Sequence, residues 1–208
     1  MPTLAFQKTP ADRVEAAIAY DDTHLYLGWA VNDATPWING AGDPAEMFGG
    51  GDTVDFQIGT DAKADRKRSK PVLGDLRLSI GSHGGKPTAV LYRPVAAEKA
   101  VRKYFSGTVK EGYVIESVKV LDNVKVEVKA DEKAKRYVVE AAVPLADLGL
   151  KPAADLTLSG DFGATFGDQT GKDTVLRSHW SNQATGIVAD EVWELVPQPQ
   201  NWGQITFQ

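Results

Sequence analysis

"RVEAAIAYDDTHLYLGWAV", residues 13–31, decides the fold. Apolar residues recur at every second position on both sides of the turn-forming cluster "DDTH". A period of two is the signature of a half-buried strand, and two such runs around a tight turn predict a β-hairpin. In the second strand Leu25, Leu27, Trp29 and Val31 share one face, which makes Trp29 a core residue.

The same period continues along the chain. In "DTVDFQIG" (52–59) Val54, Phe56 and Ile58 point one way and Thr53, Asp55 and Gln57 the other. "DLRLSIG" (75–81) turns Leu76, Leu78 and Ile80 inward and Asp75, Arg77 and Ser79 outward. Further strands are predicted at 87–94, within 112–131, at 136–144, at 155–167 and at the C-terminus, "NWGQITFQ" (201–208), which is expected to pair centrally. "EVWEL" (191–195) also reads as an alternating strand, with Trp193 in the core. One helix is expected, over "PLADLGL" (144–150), where Pro144 suits the first turn and Gly149 the end. About ten short strands with one short helix predict an all-β protein: a two-sheet antiparallel sandwich of jelly-roll type, with residues 1–208 in a single domain.

Composition narrows the chemistry. The 208 residues are 42% hydrophobic and 25% charged with net charge −5, and the dense basic run "KADRKRSK" (63–70) is short, so nucleic acid is not the expected partner. No apolar run approaches the ~20 residues of a membrane span, and the N-terminus has no signal core. Absence of cysteine removes disulfides, thiolate metal sites and cysteine nucleophiles. The three histidines form no metal-binding motif. No nucleophile elbow or phosphate-binding loop is present, because "GGGD" (49–52) leads into a strand rather than a helix. The expectation is a protein that is not an enzyme.

Two of the five tryptophans lie in polar loops: Trp37 in "NDATPWINGAGD" and Trp180 in "RSHWSNQATG". Loop ends carry sites on β-sandwiches, and an indole face suits the apolar C–H face of a sugar. The neighbours Asn39, Asp43, Arg177, Asn182 and Gln183 can meet hydroxyls. Folding back over the core edge is the competing reading for each ring. Trp202 is expected to close the end of the sandwich. If strands 52–59 and 75–81 are neighbours, Asp55 and Arg77 meet on the face away from the core, as a surface ion pair or as a donor–acceptor pair for vicinal hydroxyls.

These segments together resemble the family 9 carbohydrate-binding modules and the wider group of DOMON-like sandwich domains. The resemblance is carried in order by "VEAAIAYDDTHLYLGWAVND", "GDTVDFQIGTD", "DLRLSIG", "YVVEAAVPLADLGL" and "WGQITF", and it spans nearly the whole chain. It implies a β-sandwich with bound calcium whose ligand is a carbohydrate clamped by two tryptophans. Asp55 stands where the family has a glutamate and Arg77 matches its arginine. Ser79 replaces the expected asparagine. Trp180, with Asn182 close by, matches the late tryptophan of the clamp. Where the early one belongs this chain has Phe48 and Gly49, which leaves Trp37 as the substitute. The ligand-binding set is therefore Trp37, Asp55, Arg77, Ser79, Trp180 and Asn182. Carboxylates at 21–22, in "GAGD" (40–43) and in "GDQTGKD" (167–173) are oxygen ligands of the type calcium uses. The resemblance further implies an extracellular or periplasmic location within a larger secreted multidomain protein. A haem-binding relative within the group makes Met47 a candidate iron ligand, with apolar packing as its alternative; a Soret band separates the two. A sandwich whose sugar site has decayed is a third reading.

Overall fold

The computed structural model describes residues 3–35, 37–105, 112–185 and 191–208. The quoted hairpin is present as β2 (Val14–Tyr20) and β3 (His24–Asn32). Its turn is fixed by Asp21, whose carboxylate accepts the backbone N–H groups of Thr23 and His24 at 2.7 and 2.8 Å. An aspartate that bonds the backbone two or three residues on reproduces a turn with its own side chain.

This hairpin sits in a five-stranded antiparallel sheet of order β1-β2-β3-β11-β10, with β1 at Thr3–Phe6, β10 at Lys125–Asp131 and β11 at Arg136–Pro144. Opposite lies a seven-stranded antiparallel sheet. It has the order β13-β12-β4-β5-β6-β9, and β14 also pairs β12. These strands are β4 (Thr53–Gly59), β5 (Asp75–His83), β6 (Lys86–Arg93), β9 (Ser117–Val120), β12 (Thr157–Gly167), β13 (Thr174–His179) and β14 (Gly203–Thr206). A small hairpin, β7 (Arg102–Tyr104) with β8 (Tyr113–Ile115), stands apart.

The core lies between the sheets. Leu25, Leu27, Trp29 and Val31 meet Val54, Phe56 and Ile58, Leu76, Leu78 and Ile80, and Phe162. Trp29 is 1% exposed, and its ring centroid lies 5.8 Å from that of Phe162. Helix α1 (Leu145–Leu148) follows β11 and ends at Gly149, whose φ of 65° is left-handed.

Three expectations need correction. "EVWEL" is not a strand but helix α2 (Glu191–Leu195), and the Trp193 side chain lies outside the described residues. Val192, Leu195 and Val196 pack on one apolar cluster, and their i, i+3, i+4 spacing is helical; alternation over five residues could not separate the two. The C-terminal strand β14 is not central. It pairs only the first part of β12, Thr157–Gly160, while β13 pairs Gly163–Gly167 on the rest. Ile205 and Phe207 face the core, and alternation reports that face without reporting a position in the sheet.

The third concerns the side of the seven-stranded sheet that faces away from the core. It is roofed rather than open. A 3-10 turn (Pro44–Gly49), the β7–β8 hairpin and α2 cover the β5–β6–β9 half of it. Met47, Phe48, Val90, Tyr92, Tyr104, Ile115 and Leu195 form a second apolar cluster there. The hydroxyls of Tyr92 and Tyr104 both donate to the Ala45 carbonyl at 3.0 Å, which ties the turn down. Among the described residues no helix is long and apolar enough to cross a membrane.

Candidate functional site

Strand register places the polar residues in rows across this roofed outer face. One row runs His179, Gly163, Asp55, Ser79; the next runs Asp161, Gln57, Arg77, Tyr92. Asp55 and Arg77 thus meet as their alternation predicts, at 3.1 Å between Nη2 and Oδ2. The pair is not a surface one, since Asp55 is fully buried and Arg77 is 1% exposed.

The pair anchors a polar network. Gln57 donates Nε2 to Asp55 Oδ1 at 3.0 Å, and the His179 Nε2 lies 3.5 Å from Asp55 Oδ2. Burial pushes the Asp55 carboxyl up, but the Arg77 guanidinium and His179 outweigh it and hold the group well below the ordinary carboxylate range. Arg77 Nη1 donates to the Glu194 carbonyl of α2 at 2.7 Å. Glu194 Oε2 in turn lies 3.3 Å from Arg177 Nε, which binds α2 to β13. Gly163 makes this closeness possible: a Cβ there would stand 2.5 Å from both Asp55 Oδ2 and His179 Nε2.

Asp161, in the second row, accepts the N–H groups of Ser181 and Asn182 at 2.8 and 3.0 Å and so shapes the bend after β13. Burial raises its pKa. Asn182 Oδ1 accepts from Asn201 at 3.1 Å. Trp202 lies over this end of the face. It donates Nε1 to Gln57 Oε1 at 3.2 Å and carries the Arg68 guanidinium 5.6 Å above its ring. Three buried polar atoms in the middle of the network, Arg77 Nε, Ser79 Oγ and His179 Nδ1, have no hydrogen-bond partner among the described residues. Buried polar atoms are normally satisfied, so such a group calls for water or a ligand.

Of the six residues expected to bind ligand, Asp55, Arg77, Ser79 and Asn182 are brought together here. The two tryptophans are not brought together as a clamp. Trp180 turns to the core side, where its Cη2 and Cζ3 lie 2.6 Å from the position a Cβ on Gly203 would occupy. It is half-buried against the core edge. Trp37 packs at another place, 4.6 Å from the ring of Tyr137, beside a cleft of ≈ 230 Å³ lined also by Asp33, Thr35 and Gln169. Replacing Trp37 with alanine is expected to cost about 2–3 kcal/mol of stability, somewhat less than a fully buried indole; an unchanged melting temperature would show that the ring does not close the sandwich end.

Sequence reasoning missed Gln57, Asp161 and His179 as members of the site and gave Trp202 another task. Gln57 and Asp161 were legible as outward positions in their strands. His179 was hidden because "TVLRSH" was not read as a strand.

The other candidate positions have local tasks. Met47 is fully buried in the second apolar cluster, as the packing alternative has it. Asp43 caps the 3-10 turn at Ala45 N–H (2.9 Å) and pairs Arg102. Asp168 accepts the N–H groups of Thr170 and Lys172 at 3.2 and 3.0 Å. With Asp21 in its hairpin turn, each of these carboxylates closes its own turn. Among the described residues no three His, Cys, Asp or Glu side chains converge, so a calcium ion at these turns would need backbone carbonyls and waters for most of its 6–8 oxygens.

No protein-family model matches the sequence, and no curated protein matches it. Solved structures match its fold. A family 9 carbohydrate-binding module from Caldicellulosiruptor kristjanssonii in complex with glucose aligns over 98% of this chain and 80% of its own, with TM-score 0.55 and 13% identity. A module of that family and organism in complex with cellotriose aligns over 97% and 77%, with TM-score 0.56 and 15% identity. A Bacteroides uniformis protein, provisionally described as carbohydrate-binding, aligns over 95% and 79%, with TM-score 0.55 and 14% identity. The fold is that of a family 9 carbohydrate-binding module.

Proposed function

We propose that the chain is a non-catalytic carbohydrate-binding module whose ligand face is the outer side of the seven-stranded sheet. The observation that carries this is the Arg77–Asp55 pair with the unsatisfied Arg77 Nε, Ser79 Oγ and His179 Nδ1 around it. Guanidinium donors beside a carboxylate acceptor match the vicinal hydroxyls of a pyranose, and such groups are strongest when held rigidly out of water. Solved modules of this fold carry glucose and cellotriose. Trp202 supplies the flat apolar surface, with Asn182 at the margin, while Trp180 is turned to the core side. Trp37 is outside this face. By its resemblance to secreted modules, the chain belongs outside the cytoplasm within a larger protein.

A saccharide reaching Arg77 has to replace the bond now made by the Glu194 carbonyl. That bond favours a second reading: a sandwich whose polar face is sealed and structural. Titration calorimetry against glucose and cello-oligosaccharides, alongside a broad glycan array, separates them. Trp202→Ala is expected to weaken binding tenfold or more, since an aromatic platform is worth ~1–3 kcal/mol by analogy with base stacking. Failure of the wild-type chain to bind any glycan on the array would leave the sealed reading.

A further inference from the structure

The loop between β3 and β4 is held at both ends by carboxylates. Asp33 directly follows β3 and Asp52 directly precedes β4. The two side chains lie within hydrogen-bonding reach of each other, and both are buried, Asp52 completely. Asp33 Oδ1 accepts the N–H and hydroxyl of Thr35 at 2.8 and 2.7 Å. Asp52 accepts the N–H of Ile38 at 3.0 Å and that of Gly167 at 2.6 Å. Asp33 Oδ2 is buried with no donor among the described residues. Two carboxylates this close in a dry site repel each other when both are ionised, which favours one proton held between them.

The loop they close does structural work. Asn39 Nδ2 donates to the Met47 carbonyl at 2.8 Å, so the loop's first part carries the 3-10 turn that roofs the outer face. Met47 and Phe48 of that turn pack into the second apolar cluster.

We propose that Asp33 and Asp52 form a proton-dependent clasp, which keeps the 33–52 loop closed over the outer face and loosens as pH rises. Burial pushes Asp52 up to about 7 and also raises Asp33. An unfolded aspartate titrates near 3.9, so between roughly pH 4 and 7 the folded chain holds a proton the unfolded chain has lost. Stability therefore falls as pH climbs through that window. Tyr137 of β11 faces the pair with a buried hydroxyl, and the charged rim of the adjoining cleft is Asp131, Glu132, Lys135 and Arg136. The phenol, raised by burial and by the two carboxylates, stays protonated through this window, and its hydroxyl makes no hydrogen bond among the described residues.

Hydrogen exchange of peptides covering residues 38–50, at pH 5.5 and 8.5 and corrected for intrinsic rates, tests the clasp. Protection in the wild-type chain is expected to fall tenfold or more at the higher pH. In Asp33→Asn the amide N–H replaces the shared proton permanently, and protection is expected to persist. Asp161, the other buried carboxyl raised by its surroundings, is reported by separate β12 peptides and does not confound the loop. Equal protection of the wild type at both pH values overturns the proposal. So does an Asp33→Asn loop that opens like the wild type. Recovery of protection at pH 8.5 on adding calcium also overturns it, because the pair then holds a cation rather than a proton. If Asp33→Asn does not fold, the wild-type comparison at the two pH values decides alone, because Asp52 accepts an N–H on each oxygen and an amide there would face one of them donor to donor.

Discussion

Arg77→Ala is expected to cost about 3–5 kcal/mol of folding stability, the range for removing one partner of a buried ion pair. The guanidinium is almost wholly out of water and ties three things together: Asp55 at 3.1 Å, the Glu194 carbonyl at 2.7 Å, and through it the packing of α2 on the sheet. Its loss leaves a buried carboxylate facing only Gln57 and His179. Against a typical margin of 5–15 kcal/mol, that is a large fraction. The pH dependence follows with a definite sign. Asp55 titrates lower in the folded chain than in the unfolded one, so it contributes stability above the unfolded pKa and loses it as pH falls. Without Arg77 that contribution shrinks at neutral pH, and the variant's deficit narrows in acid. A double-mutant cycle is the cleaner measurement. Arg77→Met with Asp55→Leu is expected to be more stable than either single variant, because two apolar groups leave no orphaned charge. A single-variant loss below about 1 kcal/mol would mean that water reaches the pair and the face is open in solution.

That buried pair also shows what a sequence can and cannot reveal. Alternation over residues 53–58 and 75–80 assigned those side chains of β4 and β5 to the correct face, and neighbouring strands then obliged Asp55 and Arg77 to meet. Period-two alternation separates the two faces of a strand but does not say that the second face is wet. Here the roof comes from segments with no strong period: a six-residue 3-10 turn, two three-residue strands and a five-residue helix. Each is too short to announce itself, and each is held by tertiary bonds such as Tyr92 and Tyr104 to Ala45. The tryptophans fail for a related reason. Polar neighbours in sequence put Trp37 and Trp180 in loops, correctly, but a loop residue's direction depends on what lies across from it. Gly203 offers Trp180 a slot, and Tyr137 offers Trp37 a ring, from far along the chain. Trp202, assigned to an end of the sandwich by its position, is drawn onto the polar face by Gln57, 145 residues away.

Trp29→Ala is expected to destabilise the chain by about 3–5 kcal/mol, the other large effect, and its origin is apolar. Trp29 stands in the middle of β3, between Ala16 of β2 and Val139 of β11 in register. It reaches across to the opposite sheet, where Phe162 and then Phe56 continue the contact at 5.8 and 4.9 Å between successive ring centroids. Alanine would remove the aromatic that joins the two sheets and leave a hole the size of an indole. Strand backbones on either side are held by full ladders, so they cannot collapse to fill it, and the cavity cost adds to the lost burial. The indole is not ideal, however. Its Nε1 is buried without a hydrogen-bond partner among the described residues, which offsets part of what the ring contributes. Trp29→Phe tests that separately: it keeps most of the ring, removes the unsatisfied donor, and should cost only about 1–2 kcal/mol. Chemical denaturation of the three proteins, with m-values compared, gives the ranking directly. If Trp29→Phe is as damaging as Trp29→Ala, the indole nitrogen has a partner in solution, such as a bound water. If Trp29→Ala costs less than about 1 kcal/mol, the ring is not what joins the two sheets.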